Sequence, residues 1–358
     1  MKYEGLDLIR ELSLAFGPSG CEDAVRDLII EQIKGDCDAY TVDKAGNLIA
    51  VIHGRGLDYN AAAPRRLMLS AHMDEVGFMI TEITKEGYLK FGTVGGMDPR
   101  VLCGRHVLVG EGKRRLHGVI ASKAIHLQSA EERTKATPVS KMYIDVGAKD
   151  ADEAKKYVSV GDYATFDSDF VLFGKDGAVM KGKAIDDRAG CAALIEIMRD
   201  LHENPCQMPF DVCFAFTCCE EIGISGASVA AFELAPDTAI VIESTAVNDI
   251  PGPANAKVAI QGEGGALSLA DRSTIYDTGF VDFARQTGED AGIKCQIKQA
   301  VTGGNDSAHI QRSLAGIRVL SLSIPTRYIH SASNVARVED YEATRDLVIA
   351  MLRNWKLD

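Results

Sequence analysis

Strand-like apolar runs and helix-like amphipathic patterns alternate along both ends of this 358-residue sequence, and this alternation restricts its possible folds more than any other feature. Near the N-terminus a helical pattern at 22–35 precedes apolar runs at 47–52 and 66–71. Helical and apolar patterns then alternate from residue 187 to residue 354. Strands connected through helices form a largely parallel sheet that is covered on both faces. The sequence therefore predicts an α/β fold.

The pattern changes between residues 76 and 161, where short strand-like runs are separated by glycine-rich turns. A single helical pattern, at 151–158, interrupts them. Short strands in close succession are typical of a small barrel or sandwich. We predict that residues 1–75 and 162–358 form one mainly parallel-sheet catalytic domain, and that residues 76–161 form a small β-rich, barrel-like domain inserted into it.

The charge balance and the cysteine usage exclude several classes of partner and environment. The chain carries 39 Lys and Arg against 51 Asp and Glu, a formal net charge of −12 at pH 7. We therefore expect no nucleic-acid partner and no anionic membrane surface as partner. No apolar stretch approaches the roughly eighteen residues of a membrane span, and the first twenty residues lack signal-peptide character. Nine cysteines without CxxC spacing predict free thiols in a reducing, cytoplasmic environment.

Side chains of the metal-binding type follow the apolar strands or open a helix, which is where an open α/β sheet places its binding sites. The candidates are His72, Asp186, Glu221, Glu243 and His330. Two imidazoles and three carboxylates suit a pair of divalent cations such as zinc or cobalt, because a carboxylate can bridge two ions. Calcium would require more oxygen ligands. We therefore predict two zinc or cobalt ions per chain, with Asp186 as the bridging ligand.

Two pairs of adjacent acids leave alternatives open. Asp186 and Asp187 precede an apolar helix, so capping of the helix N-terminus competes with metal binding, and the two roles can be divided between the two residues. Glu220 and Glu221 close a buried strand, where a solvated surface role is hard to explain. A turn at this point can present one carboxylate to a metal and leave its neighbour free as a general base. The alternative is a pair of acids at a helix N-terminus before Gly223.

The position of each histidine separates one candidate ligand from the others. His330 directly follows an apolar strand, and this position favours a ligand over an ordinary loop histidine. His309 opens the helix after the loop at 303–306 and is close enough to face a substrate, but no acidic strand end lies beside it, and we interpret it as structural. The remaining histidines occupy turns, the inserted segment or helix surfaces and are also interpreted as structural: His53, His106, His117, His126 and His202.

Five short motifs, in order along most of the chain, carry a resemblance to a known family. They are Ala71-His72-Met73-Asp74-Glu75-Val76-Gly77, Ala184-Ile185-Asp186-Asp187-Arg188, Cys219-Glu220-Glu221-Ile222-Gly223, Gly303-Gly304-Asn305-Asp306 and Pro325-Thr326-Arg327-Tyr328-Ile329-His330-Ser331. Each motif alone is weak. Together with the inserted β-rich segment, they make the chain resemble the TET-type, dinuclear-metal aminopeptidases, also called the glutamyl aminopeptidase and deblocking aminopeptidase family.

The resemblance implies a role for each matching position. His72, Glu221, Glu243 and His330 would be metal ligands, Asp186 the bridging ligand, Glu220 the general base, and Asp74 the acid that orients the site. Two departures from the family pattern matter. Family members often carry Asp where Glu243 stands, which leaves Asp249 as an alternative fifth ligand. They also often show Gly-Gly-Thr-Asp where this chain has Asn305, a change in a loop that faces the substrate.

The expected activity is hydrolysis of the first peptide bond of a peptide substrate by a metal-activated water, with Glu220 as the general base. The resemblance further implies a homo-oligomer, in which dimers formed through the inserted segment assemble into a hollow tetrahedral dodecamer. A lid or an exposed domain on a monomer is the alternative role of the insert.

Two other functions remain as alternatives. Similar sequences have sometimes been labelled glucanases, and a glycoside hydrolase could use paired carboxylates. Such an enzyme usually needs aromatic platforms, and Trp355 is the only tryptophan. A catalytically silent assembly protein with the same fold is the second alternative, although the complete ligand set argues against it.

Overall fold

The computed structural model describes residues 2–55, 57, 65–110, 112, 115–251 and 258–357. In this part of the chain the α-helices are Gly5–Leu14 (α1), Asp23–Ile33 (α2), Ala151–Ala154 (α3), Ile185–Glu203 (α4), Ser225–Leu234 (α5), Thr278–Ala291 (α6), Ser307–Gln311 (α7) and Val338–Arg353 (α8). None of the described helices is both long enough and apolar enough to cross a bilayer.

The strands form one large mixed sheet and one closed barrel. In chain order they are Ala39–Val42 (β1), Leu48–Ile52 (β2), Arg66–His72 (β3), Gly77–Ile83 (β4), Leu89–Val94 (β5), His106–Val109 (β6), Leu116–Ala121 (β7), Tyr143–Asp145 (β8), Tyr163–Phe166 (β9), Val171–Phe173 (β10), Val179–Gly182 (β11), Asp211–Thr217 (β12), Thr238–Ala246 (β13), Gly265–Leu267 (β14), Cys295–Ile297 (β15), Arg318–Arg327 (β16) and Asn334–Arg337 (β17).

The large sheet has the order β1-β2-β12-β3-β13-β16-β17-β11-β10, with β14 paired to β15 and β16. Its central strands β12, β3, β13 and β16 are parallel, whereas the flanking strands pair antiparallel. The central strands are almost continuously buried, as expected for parallel strands covered by helices. Thr217 at the end of β12 pairs with His72 at the end of β3. The carboxyl ends of the central strands therefore meet at one edge of the sheet.

Two groups of helices pack on this sheet. Helix α4 contacts β3 and β13, and α1, α2 and α8 contact α4. Helices α5 and α7 contact each other, and they also pack on β12, β3, β13 and β16. The buried side chains between helices and strands form one continuous apolar core. The predicted α/β fold with a mainly parallel central sheet is confirmed.

The closed barrel has the strand order β4-β5-β8-β7-β6-β9, and five of its six strands come from the inserted segment. Phe78 lies at its centre, where its ring meets those of Phe91 and Phe166 edge to face with centroid distances of 5.2 Å. These three rings belong to the barrel's own cluster of buried apolar side chains. The β-rich insert is thus a barrel rather than a sandwich. Its last strand, β9, spans Tyr163–Phe166 and therefore lies just beyond the predicted boundary of the insert at residue 161.

Several elements differ in extent from the sequence prediction. The apolar run at 238–242 predicted a strand ending before Glu243, but β13 continues to Ala246 because its pairing with β16 continues through Glu243, Ser244 and Thr245. Glu243 is therefore a residue of the strand and does not follow it. Strands β1, β5, β9, β10, β11, β14 and β17 were not predicted. They are short and mostly lie outside the parallel centre of the sheet.

Candidate dinuclear metal centre

A cavity of about 210 Å³ lies at the carboxyl edge of the central strands. All five predicted metal ligands line it, together with Glu220. They come from five places in the chain: His72 ends β3, Asp186 opens α4, Glu221 follows β12, Glu243 lies in β13, and His330 follows β16. The structure therefore brings together side chains that are up to 258 residues apart in the sequence, as the difference between positions 330 and 72 shows.

The first group of candidate ligands is His72, Asp186 and Glu243, and all three are buried. The His72 Nε2 atom lies 3.5 Å from Asp186 Oδ1 and 3.4 Å from Glu243 Oε1. The three ligand atoms lie within 4.8 Å of one another. One divalent cation can contact all three.

The second group is Asp186, Glu221 and His330. The His330 Nε2 atom lies 3.4 Å from Asp186 Oδ2 and 3.3 Å from Glu221 Oε2. Asp186 thus belongs to both groups, and it directs one carboxylate oxygen to each. This is the geometry of a bridging ligand between two cations.

Both histidine rings are held through the nitrogen that faces away from the cavity. The Nδ1 of His72 lies 3.1 Å from the carbonyl oxygen of Asp74 and 3.3 Å from its Oδ1, and the Nδ1 of His330 lies 2.7 Å from the carbonyl oxygen of Gly96. A carbonyl oxygen only accepts, so each Nδ1 carries the hydrogen. Each Nε2 is therefore the ring nitrogen that faces the carboxylates, which is the position required of a metal-ligating nitrogen.

Asp74 is fully buried and orients more than one part of the site. Its Oδ1 accepts a hydrogen bond from the Glu220 backbone N–H at 2.9 Å, and its Oδ2 accepts one from the Glu221 N–H at 3.0 Å. The Ser19 hydroxyl also donates to Oδ2 at 2.6 Å. These bonds fix the turn after β12, in which Cys219 has a left-handed φ of 55°. The turn presents both carboxylates to the cavity.

The structure bears on two alternatives that the sequence left open, the roles of Asp186 and Asp187 and the choice between Glu243 and Asp249. Asp187 Oδ1 accepts a hydrogen bond from the Gly190 N–H at 3.1 Å, so Asp187 satisfies the first turn of α4 and Asp186 is left to face the histidines. Asp249, the alternative fifth ligand, forms an ion pair with Arg327 at 2.7 and 2.8 Å and does not line the cavity. Glu243 is the acid beside His72.

The three carboxylates among the five predicted ligands concentrate negative charge in a buried site. Burial raises the pKa of both Glu221 and Glu243 to about 8, although the neighbouring histidines oppose this shift. Burial lowers the pKa of His330, but the carboxylates of Asp186 and Glu221 outweigh it and bring the pKa to about 9. Two divalent cations bound here would offset the mutual repulsion of these crowded carboxylates. The donor set of two imidazoles and three carboxylates fits zinc or cobalt.

Glu220 lines the cavity but belongs to neither ligand group. Burial raises its pKa well above the usual carboxylate value. His72 opposes this shift, and the nearby carboxylates of Glu243 and Asp306 add to it. A carboxylate with a raised pKa that lies beside two cation sites can accept a proton and return it.

His309 and Asn305 form hydrogen bonds with other parts of the protein. The Nδ1 of His309 lies 2.8 Å from the Ser228 hydroxyl, which links α7 to α5. Asn305, which departs from the family pattern, lines the cavity. Its Oδ1 accepts a hydrogen bond from the Ser307 N–H and its amide donates to Ser321. Its polar atoms therefore bind the protein itself.

Three residues that take part in the site were not identified from the sequence: Ser19, Gly96 and Lys298. Ser19 and Gly96 act through contacts with residues far away in the chain, which no local pattern reveals. Lys298 lines the same cavity, but a single lysine after a short strand gives no sequence signal of this position.

An α/β sheet with a barrel insert and two histidine–carboxylate groups at its carboxyl edge defines a metal-dependent hydrolase. The chain belongs to the M42 glutamyl aminopeptidase family, whose family model matches residues 46–347. The resemblance inferred from the five motifs is thereby confirmed, and so is the aminopeptidase activity that it implied.

Similar proteins span nearly the whole chain. A putative aminopeptidase of Acetivibrio thermocellus is 34% identical over 96% of this chain and 97% of its own length. The TET aminopeptidase of a marine sediment archaeon, Thaumarchaeota archaeon SCGC AB-539-E09, is 35% identical and covers 98% of this chain and 96% of its own, with a TM-score of 0.93. The TET1 peptidase of Pyrococcus horikoshii, which can assemble into a tetrahedron or a large octahedral shell, is 35% identical over 97% of this chain and 98% of its own, with a TM-score of 0.84.

Proposed function

We propose that this aminopeptidase removes N-terminal residues from peptides with a dinuclear zinc or cobalt centre. His72, Asp186 and Glu243 hold one cation, and Asp186, Glu221 and His330 hold the other. The observation that carries the proposal is the position of Asp186, whose two carboxylate oxygens lie 3.5 and 3.4 Å from the Nε2 atoms of His72 and His330. Two divalent cations bound there would act as Lewis acids that activate a water molecule and polarise the scissile carbonyl.

Glu220 is the proton carrier in this proposal. It accepts a proton from the attacking water and then donates it to the nitrogen of the leaving amine. Its raised pKa suits both steps, because a weaker acid holds the proton until the amine takes it. Asp74 does not touch the substrate. It positions His72 and the Glu220–Glu221 backbone through the hydrogen bonds described above.

The action at the N-terminus has a physical reason. A peptide that enters the cavity brings a free N-terminal amine, which a metal or an acidic side chain of the site would hold. The cavity of about 210 Å³ is small, which favours one terminal residue over an internal stretch of chain.

We further propose that the chain works as a homo-oligomer in the cytoplasm, with dimers that form through the barrel and assemble into a tetrahedral dodecamer. A tetrahedron has six edges, and a dimer on each edge gives twelve chains. Exposed apolar side chains on the inserted segment support association there: Ile125 is 60% exposed and Leu127 is 71% exposed. The assembly of the TET1 peptidase into a tetrahedron supports the same architecture.

A glycoside hydrolase is less well supported. The described residues that line the cavity include no phenylalanine, tyrosine or tryptophan, whereas sugar-binding clefts use such rings as platforms. A silent assembly protein has no need of two histidine–carboxylate groups that share one aspartate, so the ligand set also favours an enzyme.

The test is a panel of amino-acyl p-nitroanilides, assayed on protein whose metal content has been measured. We expect about two divalent ions per chain, loss of activity after chelation, and recovery when zinc or cobalt is added. Undiminished hydrolysis by metal-free protein would contradict the proposal. Cleavage of internal peptide bonds with the N-terminus blocked would contradict the exopeptidase part of it.

A further inference from the structure

Four consecutive backbone N–H groups in the turn after β12 donate to side-chain oxygens. In chain order the pairs are Cys218 with Asn47 at 2.9 Å, Cys219 with Glu22 at 3.1 Å, Glu220 with Asp74 at 2.9 Å and Glu221 with Asp74 at 3.0 Å. Backbone N–H groups in proteins bond mostly to other backbone groups. A run of four side-chain acceptors therefore shows that other parts of the protein impose the shape of this turn.

One of these acceptors, Glu22, comes from the N-terminal segment. The spacing of Ser19 and Glu22 is that of a capping box, in which both side chains bind the first turn of a helix. Helix α2, which begins after Glu22, has no side-chain cap. Instead the Ser19 hydroxyl donates to Asp74, and Glu22 Oε1 accepts from the Cys219 N–H. Both polar side chains of the pattern therefore hold the turn that carries Glu220.

The Glu22 carboxylate is itself held in place. It is buried, and its Oε1 also accepts a hydrogen bond from the Gly20 N–H at 2.8 Å. Gly20 has a φ of 86°, and a Cβ atom there would lie 2.7 Å from the Tyr163 hydroxyl of barrel strand β9. The preceding residue is paired with the chain beyond β3, because the Ser19 N–H donates to the Glu75 carbonyl oxygen at 3.2 Å. Glu22 is thus a fixed acceptor.

The residue that Glu22 binds is the one that redirects the chain at the end of β12. Cys219 has a left-handed backbone with a φ of 55°. A residue with a Cβ atom seldom adopts this conformation, and it persists only where surrounding contacts hold it. Adjacent residues of an extended strand point to opposite sides, so this change of direction is what lets both Glu220 and Glu221 reach the cavity. Glu22 therefore acts at the strained residue directly before Glu220.

An acid at position 22 has an electrostatic cost. Burial raises the pKa of Glu22, and the nearby carboxylate of Asp74 adds to this rise, while the Gly20 and Cys219 N–H groups oppose it. Two buried carboxylates close together repel each other. A glutamine would avoid this repulsion and keep an oxygen that accepts both hydrogen bonds. The change Glu22→Gln therefore separates the acceptor from the charge.

We propose that Glu22 is a positioning residue for the general base: it holds Cys219 in its left-handed conformation and thereby directs the Glu220 carboxylate toward the scissile bond. The inference rests on the proposed function, because it takes Glu220 as the proton carrier. The described residues that line the cavity do not include Glu22. Glu22 therefore acts through the turn and does not touch the substrate.

Hydrogen exchange of the metal-free protein, measured by mass spectrometry, tests the contact without any activity. Glu22→Ala should raise the exchange rate in peptides that contain residues 218–221 by roughly tenfold, because an N–H group in the turn loses its acceptor. Glu22→Gln should exchange as the wild type does. Asp27→Ala is the matched control, since Asp27 is an exposed acid on α2, and it should leave the exchange of this turn unchanged.

Kinetics of the metal-loaded enzyme test the consequence for Glu220. With the anilide that is cleaved fastest, Glu22→Ala should lower kcat by about tenfold and leave KM and the metal content unchanged, because a small displacement of a reacting group slows the chemical step. Glu22→Gln should keep most of the wild-type kcat. In the Glu220→Gln background, Glu22→Ala should have little further effect, because the group that it positions is already disabled.

The outcomes separate the inference from the function on which it rests. If Glu220→Gln is as active as the wild type, the proposed role of Glu220 is wrong, and the inference fails with it. If Glu220→Gln is impaired but Glu22→Ala matches the wild type in exchange and kcat, or lowers kcat equally in both backgrounds, the assignment of Glu22 is wrong while the function stands.

Two further results would also overturn the assignment of Glu22. One is loss of bound metal in Glu22→Ala, which would show that Glu22 supports the metal ligands. The other is a glutamine variant as impaired as the alanine variant, which would show that the charge and not the hydrogen bond matters. Glu22→Met, which has a similar length and no acceptor oxygen, takes the place of the alanine variant if that variant does not fold.

Discussion

The Nδ1 atom of His330 lies 2.7 Å from the carbonyl oxygen of Gly96, so the barrel insert contacts a proposed metal ligand directly. Gly96 lies between β5 and β6, and its neighbour Gly95 packs against Val76 and Glu221. The sequence predicts that the insert serves association, with a lid or an exposed domain as the alternative, because the insert holds no cluster of acids and histidines at strand ends. The contact shows that it also orients a side chain of the site.

This contact predicts that a change in the insert weakens metal binding. Gly95 has a φ of 87°, and a Cβ atom there would lie 2.7 Å from the Val76 side chain. Gly95→Ala should displace the loop, release the His330 ring and weaken metal binding by about tenfold to a hundredfold, the usual effect of losing such an orienting contact. Gly104→Ala is the control, since Gly104 has a φ of 83° with open space around it. Competition with a chelator measures the metal affinity of both variants. Equal metal affinities in the two variants would contradict the orienting role.

The two adjacent acids after β12 should behave differently when each is changed to glutamine. Glu220→Gln should fold and retain two metal ions while kcat falls by roughly a hundredfold or more, because only proton transfer is removed. Glu221→Gln should instead lose part of the bound metal, because its Oε2 faces His330 at 3.3 Å. Metal analysis and steady-state kinetics on the same preparations distinguish the two. Near-wild-type activity of Glu220→Gln would remove Glu220 from the general-base role.

The histidine ligands give a third prediction. His72→Ala and His330→Ala should each lower the metal content, because each removes a nitrogen ligand from one of the two groups. His126→Ala, an exposed histidine of the insert, is the control and should retain the wild-type content. The measurement is the number of metal ions per chain after dialysis against dilute zinc. If both His72→Ala and His330→Ala still bind two ions, the dinuclear assignment is wrong.

The sequence predicted the candidate ligands because each of them stands at the end of an apolar strand or at the start of a helix. Parallel strands bring such ends to one edge, so local patterns were sufficient for His72, Asp186, Glu221 and His330. Glu243 was also identified, although it lies inside β13, since the strand is longer than its apolar run. The sequence also assigned the bridging role to Asp186, and the structure adds that Asp187 accepts a hydrogen bond from the Gly190 N–H.

The contacts that support the ligands could not be predicted in the same way. Gly96 and His330 are 234 residues apart, and Ser19 and Asp74 are 55 residues apart. A glycine carbonyl or a serine hydroxyl has no distinctive sequence pattern, and its role depends on how the barrel and the N-terminal segment pack on the sheet. Lys298 was missed for the same reason, because only the folded loop at 302–304 directs it into the cavity.

Asp340 gives a prediction about pH that is independent of the metal site. Burial raises its pKa to about 6, although the Gly262 and Gly264 N–H groups, which donate to it, oppose this shift. The folded protein therefore binds more protons than the unfolded chain between about pH 4 and pH 6. Its stability should fall as the pH rises through this window, by on the order of 2 kcal/mol from this residue.

Asp340→Asn removes the titrating group and should flatten that part of the pH profile. Chemical denaturation of metal-free wild type and variant between pH 4 and pH 7 measures the difference, in which the contributions of all other groups cancel. The variant also loses part of its hydrogen bonding to Gly262, so it should be less stable by about 1 kcal/mol at pH 4. A variant whose stability varies with pH as the wild type's does would show that Asp340 titrates normally.

The last prediction concerns assembly through the insert. Ile125 and Leu127 are large, apolar and exposed, and they lie on the same short helical turn of the inserted segment. If dimers form there, the double change Ile125→Glu and Leu127→Glu should place two charges in an apolar interface and reduce the mass measured by light scattering. Tyr40→Glu with Val42→Glu is the matched control, because these residues are exposed apolar side chains on β1 of the large sheet. The control should keep the wild-type mass. A wild-type protein that is monomeric at micromolar concentration, or an insert variant that keeps the wild-type mass, would contradict assembly through this surface. In both cases the Gly96 contact would remain as the role of the barrel in the site.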